Sequence, residues 1–362
     1  MLYIMHVPWG WLKQRPHFLA EELARRFDVT VLYKIPFRKS AVRNDTTLKL
    51  KYLWRLPLDR FRVVDRLNSI LYRLQARILC RRYDMFWFTA PTYAAYFLPY
   101  IPSGAEVIYD CMDDMLEFDY DSREKERIRR NEEALVRRAN IVFVTSDYLK
   151  SKLESRYGRN DLTVVNNAIH LYDGKLSDDA ELPQNVLSFR SASGRVKISY
   201  IGTVSLWMDY GLMEYVSSQE KGAEFYIWGP VSTAPSTQCP EIHFCGSVEH
   251  RHVFDVMAAS DILIMPFELN ELILSVNPVK LYEYVSSGKL CLAPRYGETE
   301  KFRPYVRLYS GPEECLDIVR KFISGEVAPC GAEDCAAFAR ANTWERRADR
   351  ICAVLAGENQ KI

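Results

Sequence analysis

Along most of this chain short apolar runs alternate with segments of helical period, and that alternation restricts it to a parallel α/β architecture. Residues 2–7, 29–33, 85–89, 105–109, 141–144 and 162–165 read as one series of strands. Residues 196–201, 224–228, 242–245, 261–266 and 290–293 read as a second. Between the first two runs, Phe18, Leu19, Leu23 and Phe27 recur at helical spacing, so the chain opens strand, loop, helix, strand. A parallel sheet of this kind presents ligands at the carboxyl ends of its strands. The alternation breaks once, over residues 171–195, where Asp, Ser and Gly replace periodicity as in a linker. At 362 residues the chain exceeds one ordinary core. Two Rossmann-like doubly wound domains facing a cleft are expected, over residues 1–180 and 195–340, with a last helix over 341–362.

One stretch concentrates the chemistry. Asn277-Pro278-Val279-Lys280-Leu281-Tyr282-Glu283-Tyr284 leads to Gly288 and the apolar run 290–293. Pro at the first helical position, Asn277 before it as a cap, and Gly past the end predict a short helix feeding a buried strand. A helix N-terminus attracts anions, and Lys280 adds a full charge in the first turn. Glu283, on the same face, can accept hydrogen bonds from a ribose; the plainer alternative pairs it with Lys280 at the surface. Gly202 follows the strand at 196–201 and lets backbone N–H groups approach a phosphate, with Thr203 and Ser205 as further donors. In the first half, Asp110, Asp113 and Asp114 lie at or just beyond the carboxyl end of a strand. There a carboxylate can take a proton from an acceptor hydroxyl, with Asp113 the first choice and Asp114 the second; where no base is required the same aspartates, Asp110 included, would orient acceptor hydroxyls, and Asp110 or Asp114 can equally be a helix cap. The loop after the first strand holds Gly10, which lets a backbone approach an acceptor or donor phosphates, or simply makes a tight turn. It is not a GxGxxG loop.

Composition excludes several classes. No apolar run reaches the roughly 20 residues of a membrane span, and residues 2–7 are too short for a signal peptide. Nine scattered Cys without a CxxC suggest reduced thiols in a cytoplasm. Net charge is only +1, yet residues 34–82 hold 14 Lys/Arg against three Asp. Residues 63–79 form an amphipathic helix there, with Val64, Leu67, Ile70, Leu71, Leu74 and Ile78 on one face. Its own domain, anionic lipid and nucleic acid compete as its partner. His250 and His252 read as surface residues, not metal ligands, because no third ligand is spaced nearby.

The run from Asn277 to Gly288-Lys289 resembles the donor-site helix of GT-B glycosyltransferases, in particular bacterial polysaccharide-assembly enzymes similar to the teichuronic-acid and xanthan glycosyltransferases. Gln14-Arg15-Pro16-His17 is similar to the start of that group's first helix, and Tyr109-Asp110-Cys111-Met112-Asp113-Asp114 to its Tyr-Asp-Cys-x-Asp-Asp motif. The resemblance implies Lys280 on the donor diphosphate, Glu283 on the ribose, and the backbone around Val248 on the base, with Trp228 or Phe267 as a stacking wall. It also implies that the last helix packs on the N-terminal domain. Two departures stand out. Neither Arg nor Lys lies between Gly202 and Gly211, so Lys280 must do more, or Arg15 must reach across the cleft to the diphosphate, or the enzyme is weak. Ser275 stands where many retaining relatives carry a Glu, leaving sugar and stereochemistry open.

The expected activity is transfer of a sugar from a nucleoside diphosphate, UDP before GDP, to a lipid-linked or growing saccharide acceptor, with no metal or other cofactor. The resemblance tips residues 34–82 toward an anionic membrane surface and away from nucleic acid. The site of action is then cytoplasmic, peripheral on the inner membrane face. A sugar-nucleotide epimerase of the same fold, or a catalytically silent subunit of a polysaccharide-synthesis complex, are the rivals.

Overall fold

The computed structural model describes all residues except 11–12, 35–45, 59, 172–174, 193 and 358–362. Parts of the basic segment and of the predicted linker therefore lie outside the described residues. The chain divides into two compact units, Met1–Asn167 with Trp344–Ile362, and Ala168–Thr343.

The first unit runs β1 (Leu2–Met5), α1 (Arg15–Leu23), β2 (Thr30–Lys34), β3 (Lys49–Leu53), α2 (Arg62–Leu79), β4 (Met85–Phe88) and α3 (Ala94–Phe97). It continues through β5 (Glu106–Cys111), α4 (Ser122–Arg138), β6 (Ile141–Val144), α5 (Asp147–Tyr157) and β7 (Thr163–Val164). The seven strands are parallel in the order β3-β2-β1-β4-β5-β6-β7. Strand order reverses between β1 and β4, which places the crevice for a ligand beyond their carboxyl ends. β1 is buried on both faces, as a central parallel strand requires. Edge strand β3 hides from the sequence because Lys49 and Lys51 interrupt it and only Leu53 is buried.

The second unit contains α6 (Gln184–Ser191), β8 (Val196–Ile201), α7 (Tyr210–Gln219), β9 (Ala223–Trp228), β10 (Ile242–Gly246), α8 (Val253–Ala259) and β11 (Ile262–Ile264). Then come α9 (Glu271–Ser275), α10 (Val279–Ser286), β12 (Leu290–Pro294), α11 (Gly297–Glu300), β13 (Val306–Tyr309), α12 (Pro312–Ile323) and α13 (Ala332–Ala341). Its six strands are parallel in the order β10-β9-β8-β11-β12-β13, with the reversal between β8 and β11. α14 (Trp344–Leu355) belongs to the first unit, where the Trp344 ring stacks on Phe18 of α1 with centroids 5.2 Å apart and Asp349 pairs with Arg26.

The predicted linker is corrected. The second unit begins at Ala168, not after residue 180, and α6 is part of its core: Val186 and Phe189 are buried, with Phe189 edge-on to Trp228 at 5.3 Å. Leu182, Val186 and Phe189 do carry helical spacing, but polar neighbours dilute it. α9 and α13 add two further helices to this unit, α9 with Asn270 accepting from the Ile273 N–H at 3.0 Å as its cap. All nine cysteines are unpaired thiols.

Candidate active site

In the second unit the site grows from the loop after β8. The parallel ladder continues past the strands, with Gly202 N–H donating to Trp228 O at 2.7 Å and Gly229 N–H to Gly246 O at 2.9 Å. Val204 N–H bonds Pro230 O on one side; on the other Asp209 N–H bonds Pro266 O and Glu268 N–H bonds Trp207 O. This loop at the strand reversal is thus held from both flanks, a preorganised cradle. Gly229 has φ +140°, and a Cβ there would collide with the Gly202 carbonyl, so the close approach requires glycine.

α10 is clamped to the same place. The Ile201 N–H, at the end of β8, donates to the Tyr284 hydroxyl at 2.9 Å. That lock brings Lys280, one turn earlier, over Gly202: a Cβ on Gly202 would fall on the Lys280 Cε and ammonium and lie 2.7 Å from the Tyr200 hydroxyl. The ammonium stands 5.7 Å above the Tyr200 ring. Lys280 and Glu283 are each half-buried, and among the described residues neither makes an ion pair or side-chain hydrogen bond. The surface-pair alternative is therefore set aside. Burial pushes the Lys280 pKa down, with Glu283 opposing. It pushes Glu283 up, against the charges of Lys280 and His250. An ammonium and a carboxylate held partly desolvated and unpartnered suit a ligand that brings both an anion and hydroxyl donors. Thr203 and Ser205 in the loop are half-buried, their hydroxyls without a hydrogen bond among the described residues.

Asn277 and Trp228 do not face this space. Asn277 does not cap α10, whose N-cap position is Pro278. Its buried amide instead donates to Glu298 at 2.9 Å and accepts from the Tyr282 hydroxyl at 3.2 Å, so it fixes the approach to the helix. Trp228 lies wholly inside the core and offers no stacking wall. Val248 is half-buried against that core, and Phe267 packs edge-on to Tyr200 at 5.6 Å. His252 is buried, not at the surface; its Nδ1 lies 3.1 Å from the Ser177 hydroxyl and 3.2 Å from Asp255. Ser275 is buried, donating to Leu272 O at 2.7 Å.

In the first unit the three aspartates separate by environment. Asp110 is fully buried, held by Arg15 through both carboxylate oxygens, 2.7 Å at the shortest. The other arm of Arg15 bonds Val165 O, Asn166 O and Asn167 Oδ1. The guanidinium is spent inside its own unit, which corrects its assignment to a phosphate and that of Asp110 to an acceptor. Breaking this pair should be costly: Arg15→Met is expected to destabilise the first unit by about 3–5 kcal/mol, read as a fall in the urea midpoint. Asp114 is also wholly buried, receiving Arg156 at 2.7 Å and Lys152 at 3.1 Å and capping a short turn at the Leu116 N–H. Burial alone would raise its pKa, but Arg156, Lys152 and that N–H outweigh it and the net shift is downward. It is a structural carboxylate, not the reserve base.

Asp113 differs. It is half-buried, its carboxylate makes no hydrogen bond or ion pair among the described residues, and its pKa rises to about 6. Burial is the main cause, Arg15 opposing and Asp114 adding to it. That is a group poised to take a proton near neutral pH. Gly10, beyond β1, has φ +88°, which glycine adopts without strain.

Three comparisons bear on these two sites. A family model described as glycosyl transferase-like matches residues 211–353. A Bacillus subtilis (strain 168) protein named for a glycosyltransferase role in teichuronic acid biosynthesis is 24% identical over 249 residues, 64% of this chain and 61% of its own length. Among solved structures, Anabaena HepE in complex with UDP has a TM-score of 0.72 at 14% identity, covering 98% of this chain and 99% of its own. A sucrose-phosphate synthase of Thermosynechococcus elongatus gives 0.71 at 12%, covering 99% and 98%. The chain has the GT-B fold. Its two strand reversals, at β1/β4 and β8/β11, are the positions where such a fold puts ligands.

In this GT-B chain one further group stands at the first reversal, and the sequence reading passed over it. His6, directly after β1, has Nδ1 2.8 Å from the Thr89 hydroxyl, which itself follows β4 and donates to Ile4 O at 3.3 Å. Burial and the His17 charge lower its pKa to about 4, so it is neutral. A lone His after an apolar run carries no signal until the strand order is known. The coupling of Gly202 to Lys280 is testable: Gly202→Ala would displace the mobile end of the lysine and press on the buried Tyr200 hydroxyl. We expect a small fall in the thermal midpoint from the crowded Tyr200 and a rise in donor KM of about tenfold, the worth of one charged contact of about 1.4 kcal/mol.

Proposed function

We propose that the chain transfers a sugar from a nucleoside diphosphate, UDP in preference to GDP, to a lipid-linked or growing saccharide acceptor in cell-surface polysaccharide synthesis. The observation that carries this reading is the unpartnered Lys280 ammonium poised over Gly202, with the free Glu283 carboxylate on the same helix. Lys280 and the N-terminus of α10 would take the diphosphate, so the leaving group is stabilised by fixed charge and dipole without a metal ion. Glu283 would accept from the ribose hydroxyls, and Thr203, Ser205 and the backbone near Val248 would line the donor. HepE, of the same fold, has been solved with UDP and with UDP-glucose, which supports the choice of nucleotide.

Asp113 would receive the acceptor hydroxyl's proton if the anomeric centre is inverted; a retaining reaction would use it to orient the acceptor. A lipid-linked acceptor would draw the protein to the inner face of a membrane. Thermal shifts with a panel of UDP- and GDP-sugars test the donor assignment. Stabilisation by UDP-sugars is expected, insensitive to a chelator; no shift with any nucleotide would refute it.

A further inference from the structure

α13 begins with two cysteines at the positions that staple the start of a helix. Gly331 is its N-cap, so Cys330 stands directly before the cap and Cys335 is the fourth helical residue. Side chains at these two positions meet across the first turn and fix how the chain enters the helix. Here Cys335 N–H donates to Gly331 O at 3.0 Å, and Cys335 Sγ lies 3.9 Å from the Cys330 carbonyl oxygen. Both side chains pack on one core. The two thiols also act on each other: burial first, and the neighbouring Cys330 second, push the Cys335 thiol up to about 11.

Access to the pair is one-sided. Cys330 is half-buried, whereas Cys335 is only 3% exposed, so a small reagent reaches the first thiol and not the second. The other thiols are differently placed. Cys80, Cys111, Cys291 and Cys315 are buried. Cys239 and Cys245 donate to Glu241 at 3.3 Å and to His243 O at 3.6 Å, and Cys352 accepts from Arg26. Cys291 is close enough to be perturbed by both members of the pair, but it sits inside β12 with its thiol on Lys289 O at 3.3 Å. The position of the pair matters because α13 backs α10. Phe338, one turn beyond Cys335, stacks on Tyr282 with centroids 5.8 Å apart, and the Tyr282 hydroxyl holds Asn277 at the approach to that helix.

We propose that Cys330 and Cys335 form a modification site for a small disulfide of the glutathione type, which turns the staple at the start of α13 into a covalent one. Cys330, as the thiolate, attacks one sulfur of glutathione disulfide; the S–S bond breaks and one glutathione thiolate leaves with the electron pair. Cys335 then gives its proton to water and attacks the Cys330 sulfur, expelling the second glutathione. Two protein thiols are oxidised to a disulfide, and one glutathione disulfide is reduced to two thiols. Excess glutathione runs both steps backward, as a sensing disulfide in a reducing compartment requires. Closure braces the first turn of α13 and with it the layer against which α10 rests. The inference goes beyond the transfer reading and stands without it, since neither nucleotide nor acceptor takes part.

Glutathione disulfide added to the reduced full chain, followed by an acid quench, alkylation after unfolding and mass spectrometry, decides it. The expected product has lost two hydrogens, keeps no glutathione, carries a cross-link between residues 330 and 335, and returns to nine thiols with dithiothreitol. Cys335→Ser should stop at one glutathione held on Cys330, and Cys330→Ser should take neither adduct nor cross-link at this turn. The parent's product decides the matter even where a variant fails to fold. Amide exchange over residues 332–338 should slow at least tenfold on oxidation, and unchanged exchange would overturn the bracing. Lys280→Met should oxidise like the parent, so failure of the donor assignment and failure of the pair are read apart. Nine alkylated thiols under excess disulfide, a glutathione retained on Cys330 of the parent, or a cross-link from Cys335 to Cys291 would each overturn the pair.

Discussion

Lys280→Met is expected to lower kcat/KM for sugar transfer by about 10²–10³, the usual loss when one preorganised charge is taken from a developing leaving group. The same change should weaken UDP by tenfold to about a hundredfold in calorimetry, as a charged hydrogen bond worth about 1.5–3 kcal/mol requires. The fold should be untouched. Met keeps the length that rests on the Tyr200 ring, and Lys280 holds its charge against burial, with no ion pair among the described residues to lose. A thermal midpoint equal to or above the parent's, together with lost donor affinity, would set this lysine apart from a packing residue. Normal turnover and UDP affinity in the variant would sink the donor site.

Asp113→Asn carries the second large effect, a fall in kcat of about 10²–10⁴ if the carboxylate is the proton acceptor. In the parent, activity should rise with pH through a limb near 6, as the acid held up by burial ionises. Stability should move the other way. Folding raises this carboxyl from 3.8 to about 6, so between those values the folded state holds more protons than the unfolded one. Stability from this group is present at low pH and lost as pH climbs through that window. The variant cannot ionise, so its melting temperature should exceed the parent's above pH 6. An inactive but more stable protein marks a group kept strained for use. Retained kcat would instead point to a retaining reaction.

The legible part of the site was whatever local spacing writes down. Lys280 and Glu283 sit three apart on a helix, and Gly202 directly follows a strand, so their placing at a strand end needed no tertiary knowledge. Asp110, Asp113 and Asp114 look alike in sequence, and a motif lends all three the same promise. Their fates differ because Arg15 arrives from 95 residues away to take Asp110, and Arg156 from 42 residues away to take Asp114. Arg15 itself was misread for the same reason. Trp228 fell to a similar blindness: an aromatic ending a strand reads as a wall until Phe189 of an unforeseen helix covers it.

By itself, then, the sequence determined the parallel α/β class, the two units, and the short helix that presents Lys280, because strand and helix periods and helix-end chemistry are written in neighbouring residues. The tertiary structure alone decided which carboxylate stays free, that His6 and Thr89 meet where the strand order reverses, and that α2 shows its apolar side to solvent. Those outcomes turn on partners far off in sequence, and burial or pairing of an ionisable group is a property of the partner as much as of the residue.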